Sequence, residues 1–86
     1  NITLKVLNTN IKSLPEAKIL LNDMEIGDFS NMQFSFLAKK GDLITIDASR
    51  YSLDLRIHII PSEEMKIKDG IINVKKGEKA VIAIEN

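Results

Sequence analysis

The stretch Leu53-Asp54-Leu55-Arg56-Ile57-His58-Ile59-Ile60 decides the fold, because its apolar and polar residues alternate with a period of two. Successive side chains of a β-strand point to opposite faces, so this period places the apolar set on one face. Pro61 follows and ends the run, since proline cannot donate a hydrogen bond to a ladder. The stretch therefore predicts a long strand with one buried and one wet face.

The same alternation recurs along most of the chain. Further strand-like runs cover residues 2–7, 17–21, 24–26, 32–37, 43–47, 65–68, 71–74 and 79–85. The segments between them carry Gly, Asn and Asp, which favour tight turns, and Asp69-Gly70 is typical of a hairpin. No segment predicts a long helix. The sequence therefore predicts an all-β fold, a small and mostly antiparallel β-sandwich of seven or eight short strands.

Two of the turns share a pattern of two lysines, a glycine and an acid, at residues 39–42 and 75–78. Each precedes an Ile-rich strand. The residues around the two patterns do not repeat well, which argues against a duplicated half-domain. We interpret them as two turns of the same geometry, with lysines that keep an exposed end of the sandwich soluble.

Composition excludes several classes of function. We expect a single domain over residues 1–86. Twelve basic and twelve acidic residues give a net charge of zero, which argues against nucleic acid and against polybasic membrane binding. No apolar run is long enough to span a bilayer, so we expect no membrane insertion by this fragment. The chain begins at Asn1 and contains no cysteine, which fits a piece of a larger extracytoplasmic or cell-surface protein.

The sequence carries no catalytic or metal-binding constellation, so we expect a protein that is not an enzyme and needs no cofactor or metal. His58 is the single histidine and falls on the polar face of its strand. The neighbouring side chains of Glu63-Glu64 would point to opposite faces of a strand. Three acids bracket one turn, Asp23, Glu25 and Asp28, but they lack the spacing of a calcium-binding loop.

The aromatic residues divide into a core pair and a candidate contact pair. Phe34 and Phe36 share a predicted strand face with Met32 and are expected in the core. Phe29, in a polar loop, and Tyr51, between two turn-like segments, are the candidate residues for contact with a ligand or partner. The two could each cover one open end of the sandwich. If both instead faced solvent at the same end, they would form a platform for a glycan.

One stretch of the chain resembles the opening of a PEGA-type domain: Ala17-Lys18-Ile19-Leu20-Leu21-Asn22-Asp23-Met24-Glu25-Ile26-Gly27. The later segments 40–46, 49–52 and 74–84 fit that pattern of strands and glycine turns, although Arg50 stands where the family carries glycine. The Pro-Glu-Gly-Ala string itself is absent. Transthyretin-like and carboxypeptidase-regulatory-like sandwiches share the same pattern of short strands separated by turn residues. The resemblance implies a non-catalytic accessory module of bacterial surface or membrane-anchored proteins.

A second resemblance concerns Glu63-Glu64-Met65-Lys66-Ile67, which is similar to the modified-lysine signature of biotinyl and lipoyl carriers. In such a carrier the lysine lies at the tip of an exposed hairpin and a complete strand follows it. Here Lys66 is only a few residues from Gly70. We therefore expect Lys66 to be a solvent-facing strand residue, and the carrier function ranks behind the others.

The natural contact surface of such a module is an edge strand, through which it could bind a protein partner or other domains of the same chain. Residues 2–7 are the predicted edge, because they are N-terminal, alternating and followed by a long loop. The functions expected from the sequence are therefore a spacer or protein-interaction module, with glycan binding through Phe29 and Tyr51 as the alternative.

Overall fold

A computed structural model describes residues 1–62 and 70–84 of the chain. Within those residues the chain forms strands and no helix. The strands are β1 (Ile2–Val6), β2 (Leu14–Leu21), β3 (Met24–Phe29), β4 (Gln33–Phe36), β5 (Leu43–Asp47), β6 (Leu55–Pro61), β7 (Gly70–Val74) and β8 (Lys79–Ala83). They form two four-stranded antiparallel sheets, a first sheet in the order β4-β1-β6-β7 and a second in the order β3-β2-β5-β8. The predicted all-β fold of a small β-sandwich is confirmed.

The core lies between the inner faces of the two sheets. The first sheet buries alternate residues of its two central strands, Ile2, Leu4 and Val6 of β1 and Leu55, Ile57 and Ile59 of β6. The second sheet contributes Ala17, Ile19, Ile44 and Ile46 in the same way. The period of two therefore separates the faces as predicted, and burial of these side chains stabilises the sandwich by removing apolar surface from water.

β6 starts and ends later than predicted. It begins at Leu55, and Pro61 is its last residue, opposite Ile2 of β1. Beyond the last backbone pair of β1 and β6, the side chain of Asn8 links the two segments by hydrogen bonds. Its side-chain oxygen accepts the Arg56 N–H at 2.9 Å, and its amide donates to the carbonyl of Asp54 at 2.9 Å.

The prediction that residues 2–7 form an edge strand is wrong. β1 lies inside the first sheet, with β4 on one side and β6 on the other. The chain crosses from the second sheet to the first after Phe29, and this crossing brings β4 alongside β1. Among the described residues, the outermost strands of the two sheets are instead β4 and β7, and β3 and β8.

The turns have the predicted geometry. Asn22 and Asp23 both have positive φ, 51° and 67°, as the two-residue hairpin between β2 and β3 requires. In the two Lys-Lys-Gly turns, Gly41 and Gly77 have φ of 92° and 72°. Each turn is closed by the same hydrogen bond between its first and fourth residues, from Asp42 N–H to Lys39 at 3.1 Å and from Glu78 N–H to Lys75 at 3.0 Å. The interpretation of the two as one turn geometry is confirmed.

Several sequence predictions lie wholly or partly outside the described residues. These are the strand at 65–68, the paired acids Glu63-Glu64, the carrier lysine Lys66, and Asp69 of the hairpin turn; Gly70 is the first residue of β7. In the part of the chain that is described, no helix has the length and apolar character needed to cross a membrane.

Candidate functional site

Phe29 lies in a strand and is fully buried, so its predicted place in a polar loop is wrong. It is the last residue of β3, pairs with Leu14 of β2, and has 0% of its surface exposed. The polar appearance of the segment comes from Asp28, whose carboxylate reaches the Lys18 ammonium at 4.0 Å. Ring burial leaves Phe29 with no face to offer a ligand in this structure.

Tyr51 is half-buried and packs against the core from the loop between β5 and β6. Its hydroxyl oxygen accepts the Glu16 N–H at 2.9 Å, which ties this loop to the start of β2. Phe29 pairs with Leu14 at the start of the same strand, so both aromatics lie at one end of the sandwich. They do not form a shared exposed platform there, because the Phe29 ring is enclosed.

Tyr51 lines a shallow cavity of about 330 Å³, here called the loop cavity. Its lining residues are Ser49, Arg50, Tyr51, Ser52, Lys76 and Gly77. Two backbone hydrogen bonds set its shape. Gly77 N–H donates to the Tyr51 carbonyl at 3.1 Å, and Tyr51 N–H donates to the Ala48 carbonyl at 3.1 Å. The cavity therefore lies between the β5–β6 loop and the second Lys-Lys-Gly turn.

The lining of the loop cavity is cationic and rich in hydroxyl groups. Three acids lie within two residues of the lining in sequence: Asp47, Asp54 and the exposed Glu78. Asp54 accepts the Lys76 N–H at 2.8 Å, and Asp47 accepts the Ser49 N–H at 2.9 Å. The Ser49 hydrogen bonds and nearby Lys79 lower the pKa of Asp47 despite some desolvation. Arg50 and Lys76 are thus placed to meet an anionic or polyhydroxylated ligand.

The opposite end of the sandwich contains a second cavity of about 400 Å³, lined by Leu21, Asn22, Leu37, Ala38, Lys39 and Asp42. Asp42 is buried there and both its carboxylate oxygens are occupied. The Asn22 amide donates to one oxygen at 3.0 Å and the Lys39 N–H to the other at 2.8 Å. These bonds lower the pKa of Asp42. Asp42 therefore joins the β2–β3 turn to the β4–β5 loop, which is a structural role.

The outer face of the first sheet is mostly polar and carries His58 and Arg56 as predicted, together with the exposed Ile71. Residues that point outward from this sheet are Thr3, Lys5, Gln33, Ser35, Arg56, His58, Ile60, Ile71 and Asn73. Thr3 and Ser35 lie opposite each other with their hydroxyl oxygens 2.7 Å apart. A side chain on such a face contacts solvent or a partner.

The outer face of the second sheet carries an apolar patch beside a row of charges. The patch, called here the apolar face, consists of Leu20, Leu43, Thr45, Val81 and Ala83. Val81 is 64% exposed and Leu43 47% exposed. The adjoining row crosses all four strands as Asp28, Lys18, Asp47 and Lys79, and Lys79 approaches Asp47 to 3.8 Å. The face therefore offers apolar contact area beside this row of paired charges, with the exposed Glu25 of β3 opposite Leu20.

The outermost strands differ in how well they are protected against pairing with another chain. β3 pairs irregularly with β2, and its two register shifts twist it. β4 is only four residues long. β8 has five residues in unbroken register with β5, and neither proline nor a bulge interrupts it. Its one charged residue, Lys79, is at its first position. β7 also has five residues in unbroken register and carries no charge. β8 is thus less protected than β3 and β4, and it differs from β7 in adjoining the apolar face.

Sequence reasoning predicted a strand at 79–85 but not its position at the edge of a sheet, and it missed the loop cavity. The order of strands in a sheet depends on contacts between distant residues, and a local period of two carries no information about it. The charged lining of the cavity could have been suspected from Arg50 beside Tyr51. The contribution of Lys76 could not be suspected, because Lys76 is 25 residues from Tyr51 in sequence and only the fold brings the two together.

Within residues 1–62 and 70–84, histidine and acidic side chains do not gather in a group of three that could hold a metal ion. Comparison of the chain with protein-family models, with curated proteins and with solved structures returned no match. The PEGA-like resemblance therefore stays a prediction.

Proposed function

We propose that this chain is a non-catalytic accessory module of a larger bacterial surface or membrane-anchored protein, in which it acts as a spacer and protein-interaction domain. Its contact surface is the free side of β8 together with the adjoining apolar face. The observation that carries this proposal is that no strand among residues 1–62 and 70–84 pairs with the outer side of β8, next to exposed Val81.

Backbone pairing and side-chain contact would act together at this surface. An extended segment added to β8 gains hydrogen bonds from the backbone, and side chains of the added strand can rest beside the apolar face. The row of paired charges beside the patch keeps the isolated module soluble.

The test is site-specific photo-crosslinking in cells that make the parent protein. A photoreactive residue replaces Val81, and the matched control replaces Lys5, which points outward from the centre of the first sheet. We expect a discrete protein adduct from position 81 and none from position 5. Equal adducts from both positions, or none from position 81, would contradict the proposal.

The loop cavity supports a second candidate function, binding of an acidic glycan. Tyr51 supplies a partly exposed ring, Arg50 and Lys76 supply positive charge, and Ser49 and Ser52 supply hydroxyl groups. These are the groups that recognise carboxylates and sugar hydroxyls. Phe29 drops out of this proposal because its ring is buried.

Glycan binding can be tested by amide NMR with carboxylate-bearing cell-wall oligosaccharides. We expect shift changes confined to residues 49–52 and 76–77, and an affinity about tenfold lower in Arg50→Ala, as for one lost charged hydrogen bond. Lys12→Ala, an exposed residue outside the cavity, is the matched control. Unchanged spectra, or equal losses in both variants, would exclude the loop cavity as the site.

A further inference from the structure

The backbone groups of β8 alternate between β5 and the free side of the strand. At one end of the strand the Ala48 N–H donates to the Glu78 carbonyl at 3.0 Å. At the other end the Ile84 N–H donates to the backbone carbonyl of Asp42 at 2.9 Å. Hydrogen-bonding residues of an antiparallel pair recur at every second position. The backbone N–H and C=O groups of the even-numbered residues of β8 therefore face β5. The N–H and C=O groups of Lys79, Val81 and Ala83 face outward.

The side chains of these same residues belong to the outer face. Val81 lies opposite Thr45 and Ala83 opposite Leu43, on the apolar face, while Lys79 lies opposite Asp47. Ala80 and Ile82 point the other way and pack against the core. A strand added to β8 would thus meet one apolar stripe and would leave the core packing undisturbed.

We propose that the partner of β8 is a second copy of this chain, paired antiparallel about a two-fold axis at Val81. This inference rests on the proposed interaction function and names its partner. In this register Val81 lies opposite the partner's Val81, and Lys79 lies opposite the partner's Ala83. All three outward-facing residues of one copy then meet outward-facing residues of the other, so each gains both backbone hydrogen bonds.

Charge favours antiparallel over parallel pairing. Parallel pairing in register would place Lys79 beside the partner's Lys79, and like charges directly opposite are destabilising. In the antiparallel register the two lysines lie at opposite ends of the joined edge. Each keeps its own Asp47, 3.8 Å away. A shift by one residue would match outward-facing groups with groups that are already bonded to β5.

The resulting dimer contains a continuous eight-stranded sheet made from two copies of the second sheet. The two apolar faces meet at Val81 and become one stripe across the junction, with a row of paired charges on each side. Two-fold dimers are the commonest closed assemblies, and a closed dimer covers the β8 edge of both copies.

The first test uses proline, which removes a single backbone N–H. In Val81→Pro the lost N–H faces the free side, so we expect the monomer to fold and the dimer dissociation constant to rise at least about tenfold in sedimentation equilibrium. Ala80→Pro removes an N–H that faces β5 and is expected to destabilise the monomer itself. An unmodified chain that is monomeric at millimolar concentration would overturn the proposal, as would a dimer that Val81→Pro leaves intact.

The second test uses cysteine, which the chain lacks. Directly opposed residues in a hydrogen-bonded pair have Cα atoms about 5.5 Å apart, within the range of a disulfide. Val81→Cys should therefore form a disulfide-linked dimer rapidly under oxidation, whereas Lys5→Cys should not. A result in which Val81→Cys forms no disulfide dimer while the photoreactive residue at position 81 captures a different protein would exclude a second copy as the partner. That result would leave the interaction function standing. If position 81 captures nothing, both fail.

Discussion

Gly27 shows how one residue positions a larger side chain of the opposite sheet. It lies on the inner side of β3, opposite Ile19, and the Phe34 ring of β4 occupies the space where a side chain would be. A Cβ at this position would overlap Cε1 and Cζ of Phe34, and even Cδ1 would lie only 2.9 Å away. Glycine is therefore required here by close approach rather than by backbone conformation.

Replacing Gly27 by Ala should lower the free energy of unfolding by about 1–3 kcal/mol, since the new methyl group must displace the Phe34 ring or the β3 backbone. Urea denaturation followed by circular dichroism measures this difference. Gly70→Ala is the matched control, because a Cβ there meets no atom of residues 1–62 and 70–84 within 4 Å and φ is not positive. The control is expected to be neutral or slightly stabilising. Equal destabilisation of both variants would show that Phe34 is not the cause.

At the scale of the elements, hydrogen-bonded carboxylates hold segments together that the strands alone leave separate. Asp42 in the β4–β5 loop receives hydrogen bonds from the β2–β3 turn and from its own loop. Asp28 does the same on a smaller scale, accepting both the N–H and the hydroxyl of Ser30 after β3. The hydrogen bonds to Ser30 also lower the pKa of Asp28.

These lowered pKa values predict a loss of stability in acid. A carboxyl whose pKa is lower in the folded state stabilises the protein fully above its unfolded value, near 3.8. That contribution is lost as the pH falls from this value through the folded pKa. The urea midpoint of the unmodified chain should therefore decrease steeply below about pH 4.

Asp42→Asn isolates one of these groups. The new amide would place N–H groups against an N–H donor, so the variant should be less stable than the unmodified chain at pH 7, and the difference should shrink towards pH 2. Urea midpoints across this range provide the measurement. Asp23→Asn, which removes the same charge from an exposed turn position, is the control, since Asn tolerates its positive φ well. A difference for Asp42→Asn that is constant with pH would contradict its assigned role.

At the scale of the whole molecule, the two sheets share one core. Inward-facing side chains of both sheets form a single buried cluster, and the loop with Tyr51 closes one end of it. Neither sheet can bury its apolar face alone. We therefore expect the chain to unfold as one cooperative unit.

Cooperative unfolding can be checked with two independent signals. The chain has one tyrosine and no tryptophan, so tyrosine fluorescence reports on the loop cavity at one end, while far-ultraviolet circular dichroism reports on the sheets. At low protein concentration the two denaturation curves should coincide. Separate midpoints would mean that the end containing Tyr51 opens independently of the core.

The sequence by itself determined which face each strand turns inward and where the chain reverses. Alternation of Leu55, Ile57 and Ile59 with polar neighbours predicts burial because the geometry of a strand is local. Gly41, Gly77 and the Asn22-Asp23 pair indicate their turns for the same reason, since positive φ is a property of the residue itself.

Only the tertiary structure decided which strands lie side by side, and the candidate sites follow from that. The central position of β1, the burial of Phe29, the approach of Lys76 to Arg50 and the exposed edge of β8 all depend on contacts between residues far apart in the sequence. Such contacts are chosen by the joint packing of two sheets around one core. Several strand orders satisfy the same alternation of residues, so the local pattern cannot distinguish among them.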